Sequence, residues 1–271
     1  MADGNGATPA LVVDSVSKSF GAVQAVQEVG FAVEPGSLTC LIGPNGAGKS
    51  TLLHCVSGFL RADRGRIQLE GRNIVRWGAH RRARAGLATV FQAMRAPQDL
   101  DVWSGVMIGC HAWTRTGLLE GILRPPWQLR EERRIREEAW HALEEVGLSD
   151  RALDLVGLGE RAAHPADALP LGQLRLLAVA RVLAQRPQVL LLDEPAAGLR
   201  AGEKAQLRKV LAGLRERGLT QLLVEHDMQF VGAVAERIVV LDRGRLIADG
   251  PPAEIRSDER VITAYLGTAT V

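Results

Sequence analysis

Short hydrophobic runs separated by polar and glycine-rich stretches set the first expectations for this chain. Leu11–Val13 and Phe31–Val33 are apolar runs of β type, and Ser37–Ile42 is an apolar strand that feeds straight into a glycine-rich segment. Lys49–Val56 has helical character, and strands are expected at Arg66–Leu69 and Leu87–Phe91 with the basic segment Arg81–Arg84 between them. Strands alternating with helices predict an α/β core. From about residue 95 to 185 the texture turns helical. There, Gln128–Val146 is dense in Arg and Glu, and Ile135, Trp140, Leu143 and Val146 recur at the spacing of an amphipathic helix. Val189–Leu192 and Leu219–Val224 are largely apolar, as parallel strands covered on both faces must be. Arg237–Asp249 reads as two strands joined by an Asp-Arg-Gly turn.

Composition narrows the class without naming a partner. The 271 residues are 46% apolar and 24% charged, the balance of a globular protein able to bury a full core. Thirty-three basic residues against 31 acidic leave a net charge of +2, so charge gives no reason to expect nucleic acid. Cys40, Cys55 and Cys110 are odd in number and lack the paired spacing of zinc or redox sites, which suits buried packing in a reducing compartment. No apolar stretch approaches the roughly 18 to 20 residues that span a bilayer, and Met1–Ala10 has no apolar core. A cytoplasmic chain that docks onto a membrane protein is the expectation.

The chemistry is concentrated in a few segments. Gly43-Pro44-Asn45-Gly46-Ala47-Gly48-Lys49-Ser50-Thr51 follows a strand and opens a helix. Its glycines let backbone N–H groups face a triphosphate while a helix N-terminus points at it. Lys49 is placed to sit on the β- and γ-phosphates of ATP, and the Ser50 hydroxyl to reach Mg²⁺. Val189–Leu192 runs into Asp193-Glu194. A carboxylate at the C-terminal end of a buried parallel strand lies where α/β sheets bind ligands. Asp193 suits Mg²⁺, commonly through water, and Glu194 suits the general base that polarises the attacking water. His226 after the next apolar strand either hydrogen-bonds the γ-phosphate or serves a structural role. Gln92 reaches metal and water only if its strand adjoins the phosphate loop.

In order and spacing these residues resemble the ATP-binding cassette (ABC) ATPase family, over about Leu11–Gly267. The resemblance implies an α/β P-loop NTPase core with an antiparallel β portion and an inserted helical subdomain. It implies a flexible N-terminus at 1–10, a nucleotide-binding core at 11–94 and 186–271, and a helical signature subdomain at 95–185. By it, Phe20 matches the aromatic that stacks on adenine, Gln92 the Q-loop glutamine that meets metal and water, Gly172-Gln173 the end of the signature motif, and His226 the switch histidine. Leu191–Leu199, Val224–Met228 and Ala264–Gly267, with the insertion Thr116–Trp127, are most similar to the ATPase subunits of branched-chain amino-acid importers. The implied partners are a second ATPase subunit, membrane permeases and, indirectly, a substrate-binding protein, with no nucleic acid. The permeases would meet the helical region after Gln92, where Trp103, Trp113, Trp127 and Trp140 either line a docking groove or pack internally.

Two positions depart from the family pattern. Leu169-Pro170-Leu171 replaces the serine and small or bulky residue expected before Gly172-Gln173, and Arg200 stands where Asn or Asp is usual. Pro170 has neither hydroxyl nor N–H, and a signature faces the phosphate loop of the partner subunit in this family. A heterodimer with one strong and one weakened site follows from this as a hypothesis. The alternatives are a weakly hydrolysing regulatory subunit and a soluble ABC ATPase outside transport.

Overall fold

A computed structural model of the chain describes residues 8–91, 101–112, 126–146 and 169–266. It divides into two compact units: Met1–Phe91 with Gln188–Ala196 and Leu211–Val271, and Gln92–Pro187 with Ala197–Val210.

The first unit holds two sheets. In one, β1 (Leu11–Phe20), β2 (Val23–Val33), β4 (Arg64–Leu69) and β5 (Arg72–Asn73) pair antiparallel in the order β2-β1-β4-β5. In the other, the order is β10-β9-β3-β8-β7-β6, built from β3 (Leu38–Ile42), β6 (Leu87–Val90), β7 (Val189–Asp193), β8 (Thr220–Val224), β9 (Arg237–Asp242) and β10 (Arg245–Gly250). All its pairings are parallel except that of the edge strand β10 with β9. Every residue of β3, β7 and β8 is buried, which is why these strands read as largely apolar runs. Helix α1 (Lys49–Ser57) follows the phosphate loop and packs Leu52, Leu53, Cys55 and Val56 into the core. The short helix α2 (Ala79–Arg84) precedes β6.

Register places the chemistry. Leu41 lies opposite Val224 across β3 and β8, and Asp193 opposite Val224 across β7 and β8. The chain therefore leaves β3 into Gly43, β7 into Glu194 and β8 into Glu225-His226 at one carboxyl edge, the edge at which open α/β sheets bind ligands.

A buried cation braces the helix behind the loop. Arg82, 1% exposed, donates from Nη1 to the Cys55 and Val56 carbonyls at the end of α1, from Nε to Trp77 O at 2.9 Å and from Nη2 to Val75 O at 3.2 Å. Burial lowers its pKa to about 10, so the guanidinium stays charged at neutral pH and faces the negative end of the helix dipole. Replacing Arg82 by Met leaves these enclosed carbonyls without a donor and is expected to cost about 3 kcal/mol or more. The urea midpoint should fall accordingly, and an unchanged midpoint would refute the bracing role.

The second unit is helical where it is described. Helix α3 (Val102–Met107) is capped by Asp101, whose carboxylate accepts from Ser104 N at 2.6 Å, and a 3₁₀ turn (Ile108–Ala112) follows it. Helix α4 (Pro126–Glu145) buries Ala139, Ala142 and Leu143; of the stripe expected from the spacing, Leu143 and Val146 are buried, whereas Ile135 and Trp140 are only partly so. Helix α5 (Leu171–Leu183) approaches the 3₁₀ turn so closely that a Cβ on Gly109 would lie 1.9 Å from Arg181 O. The Trp103 and Trp140 rings pack 6.3 Å apart; Trp113 lies outside the described residues. Helix α6 (Ala201–Glu216) begins in this unit and ends in the first. The chain closes with α7 (Met228–Val234), α8 (Pro252–Ser257) and α9 (Glu259–Leu266) in the first unit.

The three cysteines are all buried, and burial pushes the Cys55 and Cys110 thiols up to about 11. Among the described residues no helix is long and apolar enough to cross a membrane.

Candidate functional site

The loop between β3 and α1 has the conformation that only glycine permits at two points. Gly43 (φ 151) would drive a Cβ to 2.1 Å from Leu241 O, and Gly48 (φ 95), the residue that caps α1, would drive one to 2.2 Å from Ala25 O. Ala47 N–H closes a turn onto Pro44 O at 3.1 Å, and Ala47 O accepts from Gly244 N at 3.0 Å, which ties the loop to the β9–β10 turn. Asn45, Gly46 and Ser50 are exposed and Thr51 half-buried at the start of α1, whose first N–H groups have no intrahelical acceptor.

Lys49 folds back into the loop. It is 5% exposed and donates to Gly43 O at 2.8 Å and Pro44 O at 3.0 Å. Burial lowers its pKa, while the carboxylates of Glu194 and Asp193 act in the opposite direction. An ammonium resting on two carbonyls is a cation held ready for a stronger acceptor.

Asp193 ends β7 and is 6% exposed, and its Oδ1 has no hydrogen-bond partner among the described residues. Burial raises its pKa and Glu194 adds to the rise, while His54 and Lys49 oppose it. A buried carboxylate oxygen left open at a strand end fits a divalent cation. Among the described residues no cluster of three or more His, Cys, Asp or Glu forms a metal site by itself. A cation on Asp193 would thus take further ligands from a hydroxyl, water or bound phosphate, as Mg²⁺ does.

Glu194 adopts a left-handed backbone (φ 46), an uncommon state for glutamate, and its N–H donates to Val224 O at 2.9 Å. That turn out of β7 carries the carboxylate to 3.6 Å from His226 Nδ1, with the Glu194 side chain 18% and the His226 side chain 54% exposed. His226 itself is fixed from both sides. Its N–H donates to Glu225 Oε2 at 3.2 Å, and Asp227 caps α7 by accepting from Gln229 N and Phe230 N.

Of the residues singled out in the sequence, Gly43–Thr51, Asp193, Glu194 and His226 thus gather at one sheet edge. Phe20 lies at the end of β1, half-exposed at 50%, with Lys18 Nζ 5.5 Å from its ring centroid. Gln92 lies outside the described residues; the preceding Phe91 packs edge-on against Phe59, centroids 4.7 Å apart. Gly172 and Gln173 form the first turn of α5, with Pro170 as its N-cap at φ −55 and no side-chain cap. Glu203 supplies the missing acceptor: Oε1 accepts from Gly172 N at 3.3 Å and Oε2 from Arg200 N at 2.8 Å. The Arg200 side chain is exposed.

One contributor had escaped sequence reasoning. Glu225 is fully buried, and its Oε1 accepts from Ala196 N at 2.8 Å while Oε2 holds His226 N. Burial raises its pKa, and the amides of Ala196 and His226 pull it back. The signal was present as a carboxylate directly after a fully apolar strand end, masked by the adjacent histidine.

A glycine-rich loop on a helix N-terminus, a buried acid and a strained glutamate at the edge of a parallel sheet define a P-loop nucleotide-binding protein. The chain belongs to the ABC transporter family, whose sequence pattern matches residues 26–197. The pattern described as branched-chain amino acid ATP-binding cassette transporter matches residues 245–270. Over 262 residues the chain is 39% identical to the high-affinity branched-chain amino acid transport ATP-binding protein BraF of Pseudomonas aeruginosa, covering 96% of this chain and 99% of BraF. It is 37% identical to LivG of Escherichia coli, of the same description, over 96% of this chain and 99% of LivG. The crystal structure of an ADP conformation of an ABC transporter's ATP-binding cassette superposes with a TM-score of 0.80 at 28% identity, over 96% of this chain and 99% of that one.

Proposed function

We propose that this chain is the ATP-hydrolysing motor subunit of an ABC importer for branched-chain or other hydrophobic amino acids. The observation that carries the reading is the convergence of Lys49, Asp193, Glu194 and His226 on the phosphate-loop edge of one parallel sheet. Amides of Gly46–Thr51 and the Lys49 ammonium bind the β- and γ-phosphates, with Lys49 exchanging the Gly43 and Pro44 carbonyls for phosphate oxygens. Ser50 and Asp193, with Gln92, would hold Mg²⁺, which supplies charge neutralisation on the phosphates when bound. Glu194 accepts a proton from the attacking water, and His226 contacts the γ-phosphate while orienting the Glu194 carboxylate. Phe20 offers an exposed aromatic face to the adenine.

Gly172 and Gln173 at the N-terminus of α5 serve the phosphate loop of a second ATPase subunit, so the working unit is a dimer. That dimer sits against membrane permeases on the cytoplasmic face, with a substrate-binding protein acting through the permeases. The carboxylate of Glu203 already occupies the Gly172 amide. The partner's γ-phosphate must compete with it, which supports a weaker site on the Pro170 side of a heterodimer.

Purifying the full chain from detergent-solubilised membranes tests the reading. Integral-membrane permease subunits are expected to accompany it, and the reconstituted assembly should take up leucine on addition of ATP. Recovery with ribosomes or nucleic acid, and no permease, would sink it.

A further inference from the structure

Charge is nearly balanced over the whole chain but not over residues 61–84. That stretch carries eight arginines against Asp63 and Glu70, a net charge of +6 in a chain whose total is +2. Three of them, Arg61, Arg64 and Arg76, line a cavity of about 540 Å³ together with Asp63, Asn73 and Trp77. Its walls come from the segment entering β4 and from the connection between β5 and α2. The volume lies within the roughly 300 to 1,000 Å³ of small-ligand sites.

The positive charge of this lining is uncompensated. Arg66, next along β4, is paired with Asp14 at 3.2 Å, and Arg82 is committed to backbone carbonyls. Arg61, Arg64 and Arg76 are exposed and have no ion pair or hydrogen bond among the described residues. Asp63, the carboxylate of the lining, has both oxygens engaged: Oδ1 accepts from Lys18 Nζ and Oδ2 from Ser19 N, each at 2.8 Å. The frame behind the arginines is fixed. Val75 and Trp77 pack against the core, Asn73 Oδ1 accepts from Val75 N at 3.1 Å, and the buried Arg82 holds the carbonyls of both Val75 and Trp77. Those carbonyls, which would repel an anion, are thus occupied. The Arg81 guanidinium lies 4.0 Å from the Trp77 ring centroid and adds a further cation beside the cavity.

We propose that this cavity is a second anion site, taking a ligand that carries two or more phosphoryl groups, whether free in solution or as the headgroup of an acidic phospholipid. Each guanidinium offers a fork of parallel N–H donors that matches phosphate oxygens, and three of them on one concave frame balance more charge than a single phosphate brings. None of the lining residues belongs to the phosphate-loop edge, so the inference stands apart from the ATP-site reading.

Two binding measurements on the full chain test it, both in a Lys49→Met background so that the phosphate loop does not mask the result. In the first, inorganic triphosphate is titrated calorimetrically at low ionic strength; in the second, phosphatidylcholine vesicles with and without cardiolipin are used to sediment the protein. Replacing Arg64 and Arg76 together by Gln is expected to weaken binding about tenfold or more, and added salt to weaken it further. Both side chains are exposed, so the thermal midpoint should stay that of the parent. Arg84→Gln removes an equal charge from α2 outside the cavity and should leave binding within twofold. Arginine-dependent binding of triphosphate identifies a soluble ligand, and arginine-dependent binding of cardiolipin vesicles alone identifies a headgroup; each supports the site. No binding in either measurement, or an equal loss on Arg84→Gln, which would mean a diffuse field and no built site, overturns it.

Discussion

Glu194→Gln is expected to lower ATP turnover by roughly a hundredfold or more while leaving ATP binding within a few-fold of wild type. The amide keeps the shape of the side chain and the left-handed turn out of β7. It loses the capacity to take a proton from water and the charge that faces His226 Nδ1 at 3.6 Å. Phosphate release measured beside equilibrium ATP binding separates the two effects. Equal turnover in variant and wild type would leave Glu194 no catalytic part and would favour a regulatory subunit over a motor.

Lys49→Met should have the opposite signature. Nucleotide binding is expected to weaken roughly a hundredfold, because two or more charge-assisted hydrogen bonds to phosphate are lost from an enclosed site. Its effect on the nucleotide-free protein is the balance of two opposed changes. Burial holds the Lys49 pKa below its ordinary value, so the fold disfavours the charged form and stability rises as pH climbs through that lowered value. Methionine keeps the apolar stem and removes the buried charge. That relief opposes the loss of the donor to the buried Gly43 and Pro44 carbonyls, so the thermal midpoint without nucleotide should move little near neutral pH, whereas ATP should raise it far more in the wild type. A variant that binds ATP normally would contradict the assignment of the phosphate loop.

The parts of the fold legible in the sequence were those where one physical demand acts alone. Strands β3, β7 and β8 are covered on both faces, so they are largely apolar and announce themselves. Helix α4 carries a buried face whose spacing marked Leu143 and Val146, whereas the small Ala139 and Ala142 on it gave no such signal. Strands β1 and β2 were seen only at their ends, because bulges interrupt the alternation. Ser15 (φ 50) and Glu28 (φ 48) take left-handed backbones, and the β1–β2 register shifts between Val13 and Val16 and again between Val16 and Lys18. The phosphate loop, Asp193 and Glu194 were legible because their chemistry depends on local spacing and a strand end. Glu225 and Arg82 were not, since each acts on backbone groups distant in sequence: Ala196 and Cys55. Backbone carbonyls and amides carry no residue identity, so such partners leave no trace in the chain's pattern. Nothing in the sequence marked Glu203 as the acceptor for Gly172 either, although its place three residues after Arg200 is that of a capping glutamate.

The Glu225 carboxylate acts as a crossbar between two loops that would otherwise move independently. One oxygen grips the segment after β7 at Ala196, and the other grips the segment after β8 at His226. Breaking either bond strands a buried carboxylate at a cost of about 1 to 3 kcal/mol, so displacement of one loop is transmitted to the other before it is absorbed. On the proposed reading, departure of the γ-phosphate from His226 would be felt at Ala196 within the same event. The chain passes from Ala196 into the helical unit. A chemical step of atomic size would in this way be read out as a change in tension on the peptide that leaves the first unit.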